Sequence, residues 1–218
     1  MAQNPQSATL FFAHIFKTLV VIAALILPAW ASTSTLLSMG RVSALQSGST
    51  DPLAHAETLH QKPSVTHPYE WAQTARLLAR QGPEANSLAI SLLESALSES
   101  PSDYQSWSLL AFLRKQDSGN FSADVERDLR KSFEACPYCN KSILRWRLTF
   151  VLDNWDAASE DIRISAFSGA DFLRWWHLDY DYLKTIRAEA NSRGIPFDQY
   201  RRKIDTPMRP NEIGLSDS

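Results

Sequence analysis

Trp71 and Trp107 stand 36 residues apart, and that separation recurs along the middle of the chain. It pairs Ala75 with Ala111, Leu77 with Leu113, Leu93 with Leu129, Leu97 with Phe133, and Pro101 with Pro137. Continued once more, it sets Trp107 on Ile143 and Leu110 on Trp146, which gives two clear units and an eroded third. A small residue between two large ones lets paired helices approach closely. The proline resets the chain before the next unit.

Within each unit the apolar residues fall at helical spacing. The stretch 69–81 puts Trp71, Ala75 and Leu78 on one face, and Gly82-Pro83 ends it. The stretch 84–100 carries Leu88, Leu92 and Ala96 on one stripe, with Ala89, Leu93 and Leu97 beside it. Ser102 with Gln105 reads as a capping box for a helix through Trp107, Leu110, Ala111 and Leu113 that ends near Ser118-Gly119. Helices are also expected over 121–135, 141–155, from a Ser159 cap through Phe167, Phe172, Trp175 and Trp176, and over 180–193. No alternating two-residue pattern stands out, so the expected fold class is all-α.

The residues Trp71, Ala75, Pro101, Trp107, Ala111 and Pro137 resemble the tetratricopeptide (TPR) type of repeat, a helix pair of about 34 residues with an early Trp, small residues and a closing Pro. The period here is 36, and the Gly and Tyr of that pattern are not evident in the first helix. The resemblance implies a TPR-like helical-repeat solenoid that binds proteins and does no chemistry. On this reading residues 68–193 form the repeat domain and 194–218 a poorly ordered tail with a short helix at most.

The N-terminal region has a different character. The window 10–31 is apolar apart from His14, Lys17 and Thr18, and every residue from Leu19 to Leu27 is apolar. At ~1.5 Å per residue its 22 residues span the ~30 Å hydrocarbon layer of a bilayer. Lys17 can reach the headgroups with its ammonium. Two readings stand: an uncleaved signal-anchor over 1–31, or a signal peptide cleaved after Ala29-Trp30-Ala31. The first gives a single-pass bacterial inner-membrane protein facing the periplasm, the second a soluble periplasmic one. Residues 32–67, rich in Ser, Thr and Gln, read as a flexible stalk in which Leu36, Leu37, Val42 and Leu45 could support a short helix.

The layout of one apolar segment, a short repeat domain and the helix holding Leu144-Arg145-Trp146-Arg147-Leu148 and Val151-Leu152-Asp153-Asn154-Trp155 is similar to small envelope proteins of bacterial exopolysaccharide or surface-polysaccharide assembly. That similarity implies an accessory, non-enzymatic role with polysaccharide-assembly proteins as partners. It carries no active site across.

The sharpest short motif is Cys136-Pro137-Tyr138-Cys139, the string found at glutaredoxin active sites. There the first Cys opens a helix after a strand; here a helical repeat precedes it. Cys136 and Cys139 are therefore a possible disulfide or redox pair, and the alternative function is a periplasmic thiol–disulfide or redox-linked maturation factor. Zinc needs four ligands and c-type haem a following His, where Asn140 stands, so neither cofactor nor metal is expected. The run Phe172–Tyr182 mixes aromatics with Asp179 and Asp181, a composition that can bind sugars. On a helix those two carboxylates point about 200° apart, so a glycosidase pair is not expected. Lys141, Arg145 and Arg147 with Trp146 read as a solvated basic face. Lys and Arg number 22 against 24 Asp and Glu, a balance that does not suit coating nucleic acid.

Overall fold

The computed structural model describes residues 35–61 and 67–204. Among them every regular element is helical and no strand forms. A stretch over 35–46 (α1) precedes α2 (Pro52–Gln61) and α3 (Pro68–Leu78). A 3-10 turn at Pro83–Ala85 leads into α4 (Asn86–Glu99). Then come α5 (Tyr104–Ser118), α6 (Ala123–Ala135), α7 (Lys141–Asp153), α8 (Glu160–Trp175), α9 (Tyr180–Ser192) and α10 (Phe197–Arg202). The segment 1–34, where the membrane span is expected, lies outside the described residues. Within them no helix is long and apolar enough to cross a membrane.

Helices α3 with α4, α5 with α6, and α7 with α8 pack as pairs, and the spacing has a visible physical basis. Each first helix starts at a side-chain cap. His67 Nδ1 accepts from the Tyr69 amide at 3.2 Å, Asp103 Oδ1 from the Gln105 and Ser106 amides at 3.1 Å, and Asn140 Oδ1 from the Ile143 amide at 3.1 Å. The cap of α5 is thus Asp103, not Ser102. Buried positions recur in register: Thr74, Leu110 and Arg147; Ala75, Ala111 and Leu148 in the first helices. In the second helices they are Ala89, Val125 and Ile162; Leu93, Leu129 and Ala166; Leu97, Phe133 and Ala170. Between the first two pairs the step is 36; between the second and third it is 37.

That one-residue slip corrects the alignment of the third unit. Ile143 and Trp146 are only half-buried, and Leu144 and Arg147 occupy the core positions. The extra residue lies in the turn after α6, since α4 ends at Ser100 three residues before the Asp103 cap and α6 at Cys136 four before Asn140.

Helix α5 joins two apolar clusters. Leu110 and Leu113 belong to the cluster of Trp71, Leu78, Leu93 and Leu97, while Ala111 belongs to that of Leu129, Leu148 and Phe167. At Gly169 a Cβ would lie 3.2 Å from Leu144 Cδ2, so glycine sets how closely α8 approaches α7.

Both segments expected to be loose contain packed helices. In α1 and α2, Val42, Leu45, Ala56 and Leu59 are buried. A charged latch fixes them: Arg41 donates from Nε and Nη2 to Glu70 of α3 at 2.6 and 2.7 Å, and His55 Nε2 lies 2.9 Å from Glu70 Oε1. The Glu70 side chain is 0% exposed, and its carboxylate raises the Arg41 pKa above the usual value. The stalk was expected from Ser, Thr and Gln content, which hid a single buried stripe and one Arg–Glu fork across 29 residues. Beyond α9, Ile195, Phe197 and Tyr200 are buried, with Phe197 4.9 Å from Phe167 and Tyr200 4.6 Å from Trp155 between ring centres. Residues 205–218 of the expected tail lie outside the described residues.

Glu70→Ala is expected to cost about 2 kcal/mol, below the ~3–5 of a fully buried pair because Arg41 keeps solvent contact. Denaturant unfolding and hydrogen exchange check it. Protection should fall selectively across 35–61; an unchanged or uniformly lowered pattern would contradict the latch.

Candidate functional site

The two motifs singled out in the sequence meet where Tyr138 stacks on Phe172. Cys136 is the C-cap of α6, and a disulfide links it to Cys139, directly before the Asn140 cap of α7. Tyr138, between them, stacks on Phe172 of α8 with ring centres 5.0 Å apart. Phe172 also stacks on Trp176 at 5.7 Å and meets His177 edge-on at 5.5 Å. The chain then turns through Leu178, whose backbone is left-handed (φ 49°) and whose side chain is 63% exposed. A non-glycine residue holds this conformation at a cost of ~1 kcal/mol or more. Here it closes α8, with the Asp179 amide donating to Leu173 O at 3.0 Å. Trp176 and Tyr180 are exposed on either side of Leu178, and Pro137 is exposed in the disulfide turn.

Asp179 is nearly buried and locked. Arg145 donates to both of its oxygens, and Lys141 Nζ lies 3.0 Å from Oδ1. The Arg145 hydrogen bonds, helped by Lys141, hold the Asp179 carboxyl below its ordinary value of 3.8. Tyr182 donates to Arg145 O at 2.9 Å, its hydroxyl lies 3.0 Å from Thr149 Oγ1, and the Arg145 guanidinium sits 4.9 Å over its ring. Burial pushes the Tyr182 phenol up. Asp181 is exposed on the first turn of α9. A carboxylate already neutralised by two cations is a structural anchor, and nothing places Asp181 beside it to make an acid–base pair.

The basic face expected from Lys141, Arg145 and Arg147 is not solvated as a unit. Lys141 and Arg145 serve Asp179, and Arg147 is 1% exposed. Arg147 Nη1 donates to Cys136 O at 2.7 Å, Nη2 donates to Ser132 O and, at 2.7 Å, to Ser132 Oγ. Its guanidinium lies 4.8 Å from the Phe133 ring centre. The carbonyls it holds lie at the α6 C-terminus, where the helix dipole is negative, and Ser132 O also accepts the Cys136 amide at 3.3 Å. Burial lowers its pKa to about 10, which leaves it charged at neutral pH.

Sequence reasoning missed three things at this site: the Asp179 anchor, the role of Arg147, and the contact of Tyr138 with Phe172. Arg147 was detectable, since it lies three residues after Leu144 and four before Val151, on the apolar stripe. The other two join residues 34 apart in sequence, which periodicity within a helix does not reveal.

Where the disulfide sits bears on its chemistry. In an active C-x-x-C site the attacking sulfur gains from a helix N-terminus. Cys136 instead ends a helix, the end where carbonyl dipoles disfavour an anion. Among the described residues no three His, Cys, Asp or Glu side chains converge to hold a metal. Comparison of the chain with family models, curated proteins and solved structures returns no match.

Two outcomes are expected. Cys136→Ser with Cys139→Ser opens a four-residue loop and should lower stability by about 2 kcal/mol on the chain-entropy scale, with the helical far-ultraviolet spectrum retained. Because the folded pKa of Asp179 is depressed, its contribution is fully present above about pH 4 and is lost as pH falls through the folded value. The melting-temperature gap between the wild type and Asp179→Asn should therefore shrink from pH 5 to pH 2.5. A gap independent of pH would contradict this reading of the anchor.

Proposed function

We propose that this chain is a non-catalytic adaptor, tethered to the bacterial inner membrane by its N-terminal apolar segment, with its helical domain in the periplasm. The three helix pairs stack as a TPR-like solenoid, and the domain holds protein partners that assemble or export a surface polysaccharide. The single observation that carries the adaptor reading is the recurrence of buried positions through α3–α8. Such a stack presents an extended surface rather than an enclosed pocket. The exposed Trp176, Leu178 and Tyr180 beside the disulfide turn give that surface an apolar docking end. The polysaccharide assignment rests on the layout of the sequence.

The test is in-cell crosslinking of a C-terminally tagged chain, purification from solubilised membranes and identification of attached proteins. Glycosyltransferases, polymerases or polysaccharide-export proteins are expected, with recovery reduced at least tenfold by Leu178→Asn with Tyr180→Ser. Neither side chain is buried, and Asn accepts the left-handed backbone. Recovery of unrelated proteins, or of the same set unaffected by the variant, would overturn the reading.

The paired Cys136 and Cys139 favour a second reading, a thiol–disulfide factor. It requires Cys139→Ser to trap a partner through a Cys136 mixed disulfide, visible on non-reducing gels. A chain that traps nothing has a structural disulfide only.

A further inference from the structure

Helix α1 is apolar on two opposite sides, which is unusual for a helix at a protein surface. One side packs on the domain through Val42 and Leu45, with Ser38 buried beside them and Arg41 forked onto Glu70. The other side carries Leu36 at 68%, Leu37 at 58% and Met39 at 53% exposure, next to exposed Gly40. At 100° per residue these four fall within an arc of about 160°, facing away from Val42 and Leu45. One and two turns later the same face holds Ser43 and Ser47, both exposed. The apolar character is therefore confined to the first turn. Leu53, at the start of α2, is exposed as well.

We infer that the Leu36–Leu37–Met39 face of α1 rests in the lipid interface of the bilayer, docking the domain against the membrane in one fixed orientation. This rests on the membrane-tethered reading above and adds to it a lipid-contacting surface. Three arguments select lipid over other occupants. First, only Ser32, Thr33 and Ser34 separate the apolar window 10–31 from residue 35. Five residue steps take Ala31 to Leu36, at most ~18 Å even if fully extended. The headgroup layer on one side is itself ~5–8 Å deep. The exposed turn thus lies within reach of the surface that the apolar window enters. Second, Arg41 is the one charged residue between 32 and 50, and Glu70 holds it, so no charge on this face opposes burial among acyl chains. Third, the face turns polar as the chain moves away from the window, the gradient expected of a helix leaving an interface. Because Arg41 and His55 clamp α1 and α2 to Glu70, contact at α1 orients the whole domain and does not leave it swinging on a linker.

The test uses the full chain in phosphatidylethanolamine–phosphatidylglycerol vesicles. Met39→Cys and Ser47→Cys variants carry an environment-sensitive fluorophore, attached without reductant so that the Cys136–Cys139 disulfide persists. In vesicles that contain brominated lipid, the label at 39 should be quenched at least threefold more than the label at 47, and its emission should shift to the blue. The contrast should survive 0.5 M salt, since no charge carries it. Equal quenching at both positions in a chain that floats with vesicles overturns the docking face and leaves the tether standing. Failure to float overturns both. Protection of position 39 that depends on protein concentration and persists in detergent assigns the face to a second copy and overturns the inference. Protection in detergent that is independent of concentration assigns it to another segment of the same chain, with the same consequence.

Discussion

A buried arginine without a carboxylate partner joins the second helix pair to the third. Arg147 spends its donors on Ser132 O, Ser132 Oγ and Cys136 O at the α6 C-terminus, adding to the Cys136 amide that Ser132 O already accepts. Water would satisfy the Cys136 carbonyl at an open helix end; here the guanidinium from α7 does so. Neutral acceptors, the negative end of the helix dipole and the Phe133 ring together make the site tolerable for a cation. Ser132 supports the arrangement from the other side, with its hydroxyl 2.6 Å from Ser108 Oγ and 2.8 Å from Tyr104 O of α5. One side-chain cluster thus fixes α5, α6 and α7 together, and the disulfide closes the turn over it. The position of Tyr138 on Phe172, and so the geometry of the apolar end, follows from that closure.

Elsewhere the joints are made the opposite way, with a buried acid held by an exposed or half-exposed arginine. Arg41 takes Glu70 between α1 and α3, Arg114 takes Asp128 between α5 and α6, and Arg145 takes Asp179 between α7 and the start of α9. Arg114 also reaches Glu94 of α4, and Arg127 adds a second contact to Asp128. Burial pushes the Asp128 carboxyl up against the pull of Arg114, a sign that its desolvation is not fully recovered. Such pairs add little net stability compared with apolar packing. Their contribution is register: each works only when its two helices meet at one offset. The apolar stripes supply the driving force, and the charged joints select which stacking they drive.

The helices of the repeat domain were legible because each carries an apolar stripe and a stop signal. Gly119 ends α5 with a left-handed backbone (φ 72°), as Ser118-Gly119 indicated, and α7 and α9 begin where the periodicity places them. The recurrence was legible through Ala75 and Ala111, both fully buried in the first helices of their pairs. Its third copy was misaligned by one residue because the inserted position lies in the disulfide turn, where no periodicity registers an insertion. Of α1, α2 and α10, only a short helix around Val42 and Leu45 and one at most in the tail were indicated, and their packing was not legible. Their buried stripes are only two or three residues long, and their packing comes from Glu70, Phe167 and Trp155 far along the chain. At the candidate site, Cys136, Cys139 and the aromatic run could be seen individually. That Tyr138 and Phe172 touch, and that Lys141 and Arg145 neutralise Asp179, depends on the crossing of α7 over α8, a tertiary fact.

The central claim is that Arg147 is the joint on which the stacking of the second and third pairs depends. Native-state hydrogen exchange on Arg147→Met, compared with Arg147→Lys, tests it most directly. Met matches the stem but leaves the Cys136 carbonyl without its donor and takes the guanidinium from Ser132 O and Oγ, which keep their bonds to the Cys136 amide and to α5, a loss of about 1–3 kcal/mol. The expected result is a loss of protection concentrated in α6, α7 and α8, with α3 and α4 less affected and partial recovery in the Lys variant. If Arg147→Met were as protected as the wild type throughout, the carbonyls of Ser132 and Cys136 would not need the arginine, and the account of how these helices are held in register would be wrong.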